Sequence, residues 1–269
     1  MSVNLAQIID QANQLWPPQL ADEWDAPGLV TGYRNSAVTN VLLSVDVTND
    51  VVAEALERNC ELIMAHHPFL LRGVKSVAVD SSKGAVLNVA IKNNLAIFAA
   101  HTNADVVEDG VSDILAKELG LIEVKPLVSS NGGAVGHGRI GILQRSVTLG
   151  ELALAVARRL PATAAGVKVS GSYDSLVTKV AVCGGAGDAF IDTASNLNAD
   201  VYVTSDLRHH PVQEAREFNP LMAIIDVSHW ASESLWLEVA ARQLSKLLPQ
   251  VSFLVSEVRT DPWDFAITQ

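Results

Sequence analysis

The sequence predicts an α/β protein built from two similar α/β lobes. Three observations carry that reading. Short apolar runs alternate with helical patterns along the chain, the order of a largely parallel sheet covered by crossover helices. The second half loosely repeats the strand, polar end and helix plan of the first. A stretch rich in Gly, Ser and Asn, from about residue 126 to 147, stands between the two runs. The boundary is therefore expected near 126–138. The first lobe would hold 1–126 with about 228–269, and the second 127–227.

In the first run, VLLSVDV (41–47) reads as a strand and TNDVVAEALERN (48–59) as a helix. Thr48 or Asn49 is its cap, and Val52, Ala55 and Leu56 form its apolar face. ELIMA (61–65) is a strand, KGAVLNVAIKNN (83–94) a helix and LAIFAA (95–100) a strand. VSDILAKELG (111–120) is a helix closed by Gly120. After RIGILQ (139–144), a strand, the helix TLGELALAVARRLP (148–161) opens with the capping box Thr148-x-x-Glu151. Strands KVAVCG (179–184), DVYVTS (200–205) and MAIIDV (222–227) follow, separated by helices at 188–198 and 211–219. A long helix (232–248) and a closing strand (251–257) end the chain.

Composition narrows the function. The 269 residues are 49% hydrophobic and 18% charged, the make-up of an ordinary folded protein. A net charge of −11 argues against nucleic-acid backbone binding and against anionic membranes. Two cysteines, Cys60 and Cys183, make no disulfide framework, so a reducing cytoplasm is the expected location. The start MSVNLAQIIDQ lacks a basic n-region, and no apolar run approaches a membrane span.

Ligands of open parallel sheets sit beyond the carboxyl ends of the strands, and the polar residues of this chain collect there. His66 and His67 follow ELIMA. His101, Thr102, Asn103 and Asp105 follow LAIFAA. Ser205, Asp206, His209 and His210 follow DVYVT, and Ser228, His229 and Glu233 follow AIIDV. Six of the seven histidines stand at such ends, His137 being the exception. Imidazole and carboxylate are the usual ligands of Zn, Mn, Fe, Co or Ni. His229 and Glu233 are spaced i, i+4, on one face of a helix. More than four ligands of both kinds suggest two divalent ions bridged by a carboxylate, an arrangement that activates water.

These residues fall in motifs that resemble a known family. WDAPGLVTG (24–32), AHHPFL (65–70), AHTNADVVEDGVSDILAKELGL (100–121), VAVCGGAGD (180–188), DVYVTSDLRHH (200–210) and DVSHWASE (226–233) are together similar to the dinuclear-metal-centre hexameric proteins. That family is known as GTP cyclohydrolase 1 type 2, or Ngg-interacting-factor-like. The resemblance covers nearly the whole chain. It implies metal ligands at His66, His67, Asp105, His229 and Glu233. Glu233 would bridge two ions, and His66 and His67 would face different ions. It also implies two related lobes with the metal site in the cleft between them, and a homohexamer, a trimer of dimers shaped as a toroid. The expected function is a dinuclear-metal-dependent hydrolase acting on a small nucleotide-like or phosphorylated molecule. The alternative is a metal-binding ring that carries ions or scaffolds partners without turnover. One position departs from the pattern: Ala26 stands where the family has Asn.

Other candidates have plainer readings beside the chemical ones. His101 lies outside the implied ligand set; it is either a proton-transfer residue or a hydrogen-bonded neighbour of the ligands. His209 and His210 suit a substrate rim or a solvated helix start. CGGAGD (183–188) could cradle a phosphate on its amides or simply turn tightly; it lacks the Lys-Ser/Thr of a P-loop. On the phosphate reading the protein would be a nucleotide-binding regulator. Trp24, Trp230 and Trp236 read as core or interface, and Cys183 as a buried thiol without a nucleophile's partners.

Overall fold

A computed structural model describes residues 3–130 and 133–267. Asn131 and Gly132, within the Gly-, Ser- and Asn-rich stretch, lie outside the described residues. The chain divides into two compact units: Met1–Ala104 with Leu237–Thr260, and Asp105–Trp236 with Asp261–Gln269. The fold is mixed α/β.

The first unit opens with β1 (Val3–Asn4) and α1 (Leu5–Leu15). A capping box between Asn4 and Gln7 starts the helix, and Leu5, Ile8, Ile9 and Ala12 bury one face at helical spacing. Then come β2 (Gly28–Thr31), β3 (Ala37–Val38), β4 (Asn40–Ser44), α2 (Asn49–Glu57), β5 (Leu62–Ala65), α3 (Ser82–Lys92), β6 (Ala96–Ala99) and the short α4 (Thr102–Asp105). Strand β13 (Ser252–Val255) returns to this unit. The sheet order is β13-β4-β5-β6-β2, and all pairs are parallel except β2 with β6. Strands β5 and β6 are buried along their whole length, as a parallel sheet covered on both faces requires. Thr48 caps α2 by accepting the Val51 amide, and Ile63, Ile97, Val51 and Val86 meet in the core.

The second unit carries α5 (Val111–Glu118), β7 (Ile122–Ser129), β8 (Gly136–Thr148), α6 (Leu149–Arg159), β9 (Lys168–Ser170), β10 (Leu176–Ala186), α7 (Ile191–Asn196), β11 (Val201–Ser205), α8 (His209–Phe218), β12 (Ala223–Val227) and the start of α9 (His229–Leu247). The predicted capping box of α6 is present, with Thr148 and Glu151 exchanging both bonds. The largely parallel sheet expected of the first run is found in the first unit; the sheet of the second unit is mixed. The order is β7-β8-β10-β11-β12-β9, and only β10-β11 and β11-β12 are parallel. The other pairs are antiparallel. The connection from Ser129 to Gly136 is short enough only for a hairpin, which forces β7 and β8 antiparallel. Strand β7 also holds Pro126, which is tolerated because β7 is an edge strand. Val180, Val182, Val203 and Ile225 form the core with Leu149, Leu152 and Val156 of α6.

No helix of the described residues is long and apolar enough to cross a membrane.

Candidate metal centre

The parallel strands fix the first group of donors. Strand β5 stops at Ala65, but the next two amides still bond alongside β4: His66 to the Ser44 carbonyl and His67 to that of Val45, both at 2.9 Å. His66 is fully buried and the His67 side chain a quarter exposed. His101 follows β6 in the neighbouring position. The three rings stand 5.1–5.5 Å apart, and one ring nitrogen from each lies within 4.8 Å of the others.

Each of these rings is held through Nδ1. His66 Nδ1 meets the Ala100 carbonyl at 2.9 Å, His67 Nδ1 meets Asp46 Oδ1 at 2.7 Å, and His101 Nδ1 meets Asp25 Oδ1 at 2.8 Å. A carbonyl or an ionised carboxylate only accepts, so each Nδ1 carries the proton. Nε2 is then the lone-pair nitrogen. Metal-binding histidines are held in this way, with the distal nitrogen donating to a carboxylate or carbonyl. Asp25 is tied further, accepting the Thr102 amide at 3.0 Å and the Thr102 hydroxyl at 2.5 Å. Burial pushes its carboxyl up, but the bonds from His101 and Thr102 outweigh that and bring it down to about 2. Trp24, largely exposed, meets the His101 ring edge-on at 5.9 Å.

The second group lies on other elements. Helix α9 begins at His229, three residues earlier than the apolar pattern indicates, because Ser228 caps it by accepting the Ala231 amide. His229 and Glu233 therefore fall on one helical face, with Nε2 and Oε1 3.0 Å apart. His229 Nδ1 meets Asp206 Oδ2 at 2.7 Å, so a fourth ring shares the same Nδ1 arrangement. Burial disfavours the charged ring. The Glu233 carboxylate outweighs it and, with Asp206, holds the imidazole up at about 11. Ligation needs the neutral ring, so an ion taken up at His229 displaces that proton.

The glycine run at the end of β10 touches Glu233. Gly185 is left-handed, with φ +70°, and a Cβ there would fall 2.4 Å from Glu233 Oε1. Its amide donates to Ser232 Oγ at 2.9 Å, and its carbonyl accepts the Thr204 and Ser205 hydroxyls. The residues of CGGAGD are thus drawn into packing against α9 and β11, the plainer of the two readings. Asp105 ends α4. It and Glu233 both act on Cys183, whose thiol burial pushes up to about 12 with their help. That thiol is not a nucleophile near neutral pH.

His209 and His210 open α8, and their rings meet each other at 5.1 Å. Among the described residues neither belongs to a cluster of three or more potential ligand atoms. His209 instead lines a separate cavity of about 370 Å³ with Lys168, Arg208 and Asp226. Trp236 is buried, and Trp230 packs against the second core. Sequence reasoning named the imidazoles and placed Asp206 at a strand end, but it missed that Asp25, Asp46 and Asp206 hold the rings. The signal was weak. Each is a lone Asp beside a strand end, and only topology shows which His it meets.

The imidazoles of His66, His67 and His101 in the first unit, and the imidazole of His229 beside the Glu233 carboxylate in the second, are donor types that suit borderline divalent ions such as Zn, Mn, Fe, Co or Ni. A family model, Duf34/NIF3 (NGG1p interacting factor 3), matches residues 3–262, and the chain belongs to that family. A relative from Streptomyces coelicolor is 43% identical over 96% of this chain and 93% of its own length. One from Clostridium perfringens is 31% identical over 98% of this chain and 100% of its own. Both are named GTP cyclohydrolase 1 type 2 homolog. The crystal structure of a Bacillus cereus protein related to NIF3 superposes with a TM-score of 0.92, covering 99% of this chain and 100% of that one at 27% identity.

Proposed function

We propose that the protein is a metal-dependent hydrolase in which His66, His67, Asp105, His229 and Glu233 hold two divalent ions. The observation that carries this is the shared Nδ1 arrangement of the imidazoles, which leaves Nε2 of His66 and His67 in the ligating form. His229 takes the same form once it yields the proton it shares with Glu233. His66, His67, Asp105, His229 and Glu233 would hold the ions, which would supply Lewis acidity to a bound water and to the substrate. His101 is outside the ligand set but carries the same tautomer, fixed by Asp25. It takes a proton at Nε2, and the Asp25 carboxylate stabilises the imidazolium that forms. A poised proton acceptor supports the enzyme reading over the ion-carrying ring, which has no use for one. The substrate is a small phosphorylated or nucleotide-like molecule. The relatives' name supports a purine nucleotide such as GTP. The homohexameric toroid belongs to the same proposal, and light scattering giving a monomer would remove it.

The test begins with elemental analysis of the wild type beside a His66→Ala/His67→Ala double variant. About two ions per chain, lost in the variant, is the expected result. Phosphoester and nucleotide turnover is then compared for wild type, His67→Ala and His101→Asn. Metal without turnover in any of them supports the non-catalytic ring. No metal after purification and after titration with added ions overturns the reading.

A further inference from the structure

Arg139 is a buried cation outside the proposed ligand set. Its side chain is 3% exposed, and every branch of its guanidinium is engaged. Nε donates to Asp113 Oδ1 at 3.0 Å. Nη1 donates to the carbonyls of Gly136 and Gly138 at 2.7 and 2.8 Å. Nη2 donates to the carbonyls of Val106 and Val107 at 3.3 and 2.6 Å. The last two residues directly follow Asp105. The Gly136 amide also donates to the Val106 carbonyl at 3.0 Å. The segment after Asp105 is therefore stapled to the start of β8 by one side chain.

The local sequence is shaped for this staple. A Cβ at Gly136 would fall 2.0 Å from the Val128 carbonyl oxygen, and Gly138 is left-handed at φ +59°. Both glycines let the chain curl so that their carbonyls face the guanidinium. Asp113 is itself fixed, accepting the Asp109 amide at 2.9 Å and pairing with Lys117 at 2.9 Å. Only a planar fork with five donors spans four carbonyls and a carboxylate. A lysine ammonium has three donors and one point of charge.

We infer that Arg139 is a positioning residue for Asp105, holding the Val106–Val107 backbone so that the Asp105 carboxylate stands where the ligand set needs it. The inference rests on the proposed metal reading, and its test separates the two. Wild type, Arg139→Lys, Asp105→Asn and the double variant are titrated with Co²⁺, and the visible d–d absorption reports how many ions bind and how tightly. Arg139→Lys is expected to weaken one of the Co²⁺ ions roughly 10–100-fold, the usual cost of losing a ligand's support. The double variant is expected to bind no worse than Asp105→Asn alone, because Arg139 acts through Asp105. Two effects that multiply would place the role of Arg139 elsewhere and overturn the inference. So would unchanged Co²⁺ binding in Arg139→Lys alongside weakened binding in Asp105→Asn. Unchanged binding in Asp105→Asn removes Asp105 from the ligand set, and both claims fall. If circular dichroism shows that Arg139→Lys does not fold, Asp113→Asn replaces it in the same cycle. That variant weakens the Nε anchor and the Asp113 contacts to Asp109 and Lys117. It leaves the four carbonyl bonds of Arg139, and the same non-additivity with Asp105→Asn is required of it.

Discussion

The two groups of candidate ligands differ in the state their donors hold before any ion arrives. In the first unit, His66, His67 and His101 each donate Nδ1–H and present a lone pair at Nε2. In the second, His229 stands between two carboxylates and is held as an imidazolium. The imidazole group is ready for an ion, whereas the carboxylate group exchanges a proton for one. The cause lies in the elements. Strand ends bring rings against carbonyls and single carboxylates, while one turn of α9 sets Glu233 directly against His229.

The variant that tests this contrast most severely is Glu233→Gln. It removes the charge that opposes burial at His229 and the bridge between ions that the family resemblance implies. Elemental analysis is expected to show the largest loss of metal of any single substitution here, to below about one ion per chain if the bridge serves both ions. Retention of full metal, with loss in the His66→Ala/His67→Ala variant, would make the imidazole group sufficient alone.

Asp25→Asn addresses the first group. Activity on an identified substrate is expected to fall roughly 10–100-fold, since an amide does not stabilise the His101 imidazolium as a carboxylate does. Stability adds a second readout. The folded Asp25 carboxyl lies at about 2, below its ordinary 3.8, so its stabilisation is present above the ordinary value. It is lost as pH falls toward 2, and amounts to about 2 kcal/mol. Urea unfolding in chelator between pH 5 and pH 2 should show that loss in the wild type and less of it in the variant.

Gly185→Ala bears on the second group. A left-handed alanine costs about 1–3 kcal/mol, and its Cβ would press on Glu233 Oε1. A lowered urea midpoint with weakened metal binding is expected, as the carboxylate must move. A lowered midpoint with intact binding would show that Glu233 has room to adjust.

Much of this was legible in the sequence because it depends on local pattern. The runs at 41–47, 61–65, 95–100 and 200–205 were readable as strands because β4, β5, β6 and β11 are buried on both faces. Thr148-x-x-Glu151 was readable because a capping box needs only four residues. The i, i+4 spacing of His229 and Glu233 needed only a helix. What the sequence hid depends on distant pairing. Strand β2, GLVT, is a half-buried antiparallel edge, and nothing in its composition announces it. Strand β9 is three residues long, with no buried position. Asp25 is 76 residues from His101 and Asp206 is 23 from His229. No spacing rule links such pairs, and only the sheet order brings them together. Arg139 reads as one charged residue in a strand until its four carbonyl partners are seen.

The finest distinction between the groups is carried by the carboxylates behind the two exposed-side rings. Asp46 holds His67 and also accepts the Thr260 hydroxyl at 2.5 Å; its side chain is 34% exposed. Asp206 holds His229 with a side chain 59% exposed. Solvent screens the more exposed pair more strongly. Asp46→Ala should therefore weaken Co²⁺ binding more than Asp206→Asn, each by less than the loss of a ligand. Asn is the right substitution at 206, because the position is left-handed at φ +57° and Asn tolerates that conformation. Its side-chain oxygen still accepts Nδ1–H. A few-fold change or less is expected there, against up to about 100-fold for Asp46→Ala. Equal losses in the two variants would mean that exposure does not set the worth of these carboxylates, and that the hold on Nδ1 matters alike in both groups.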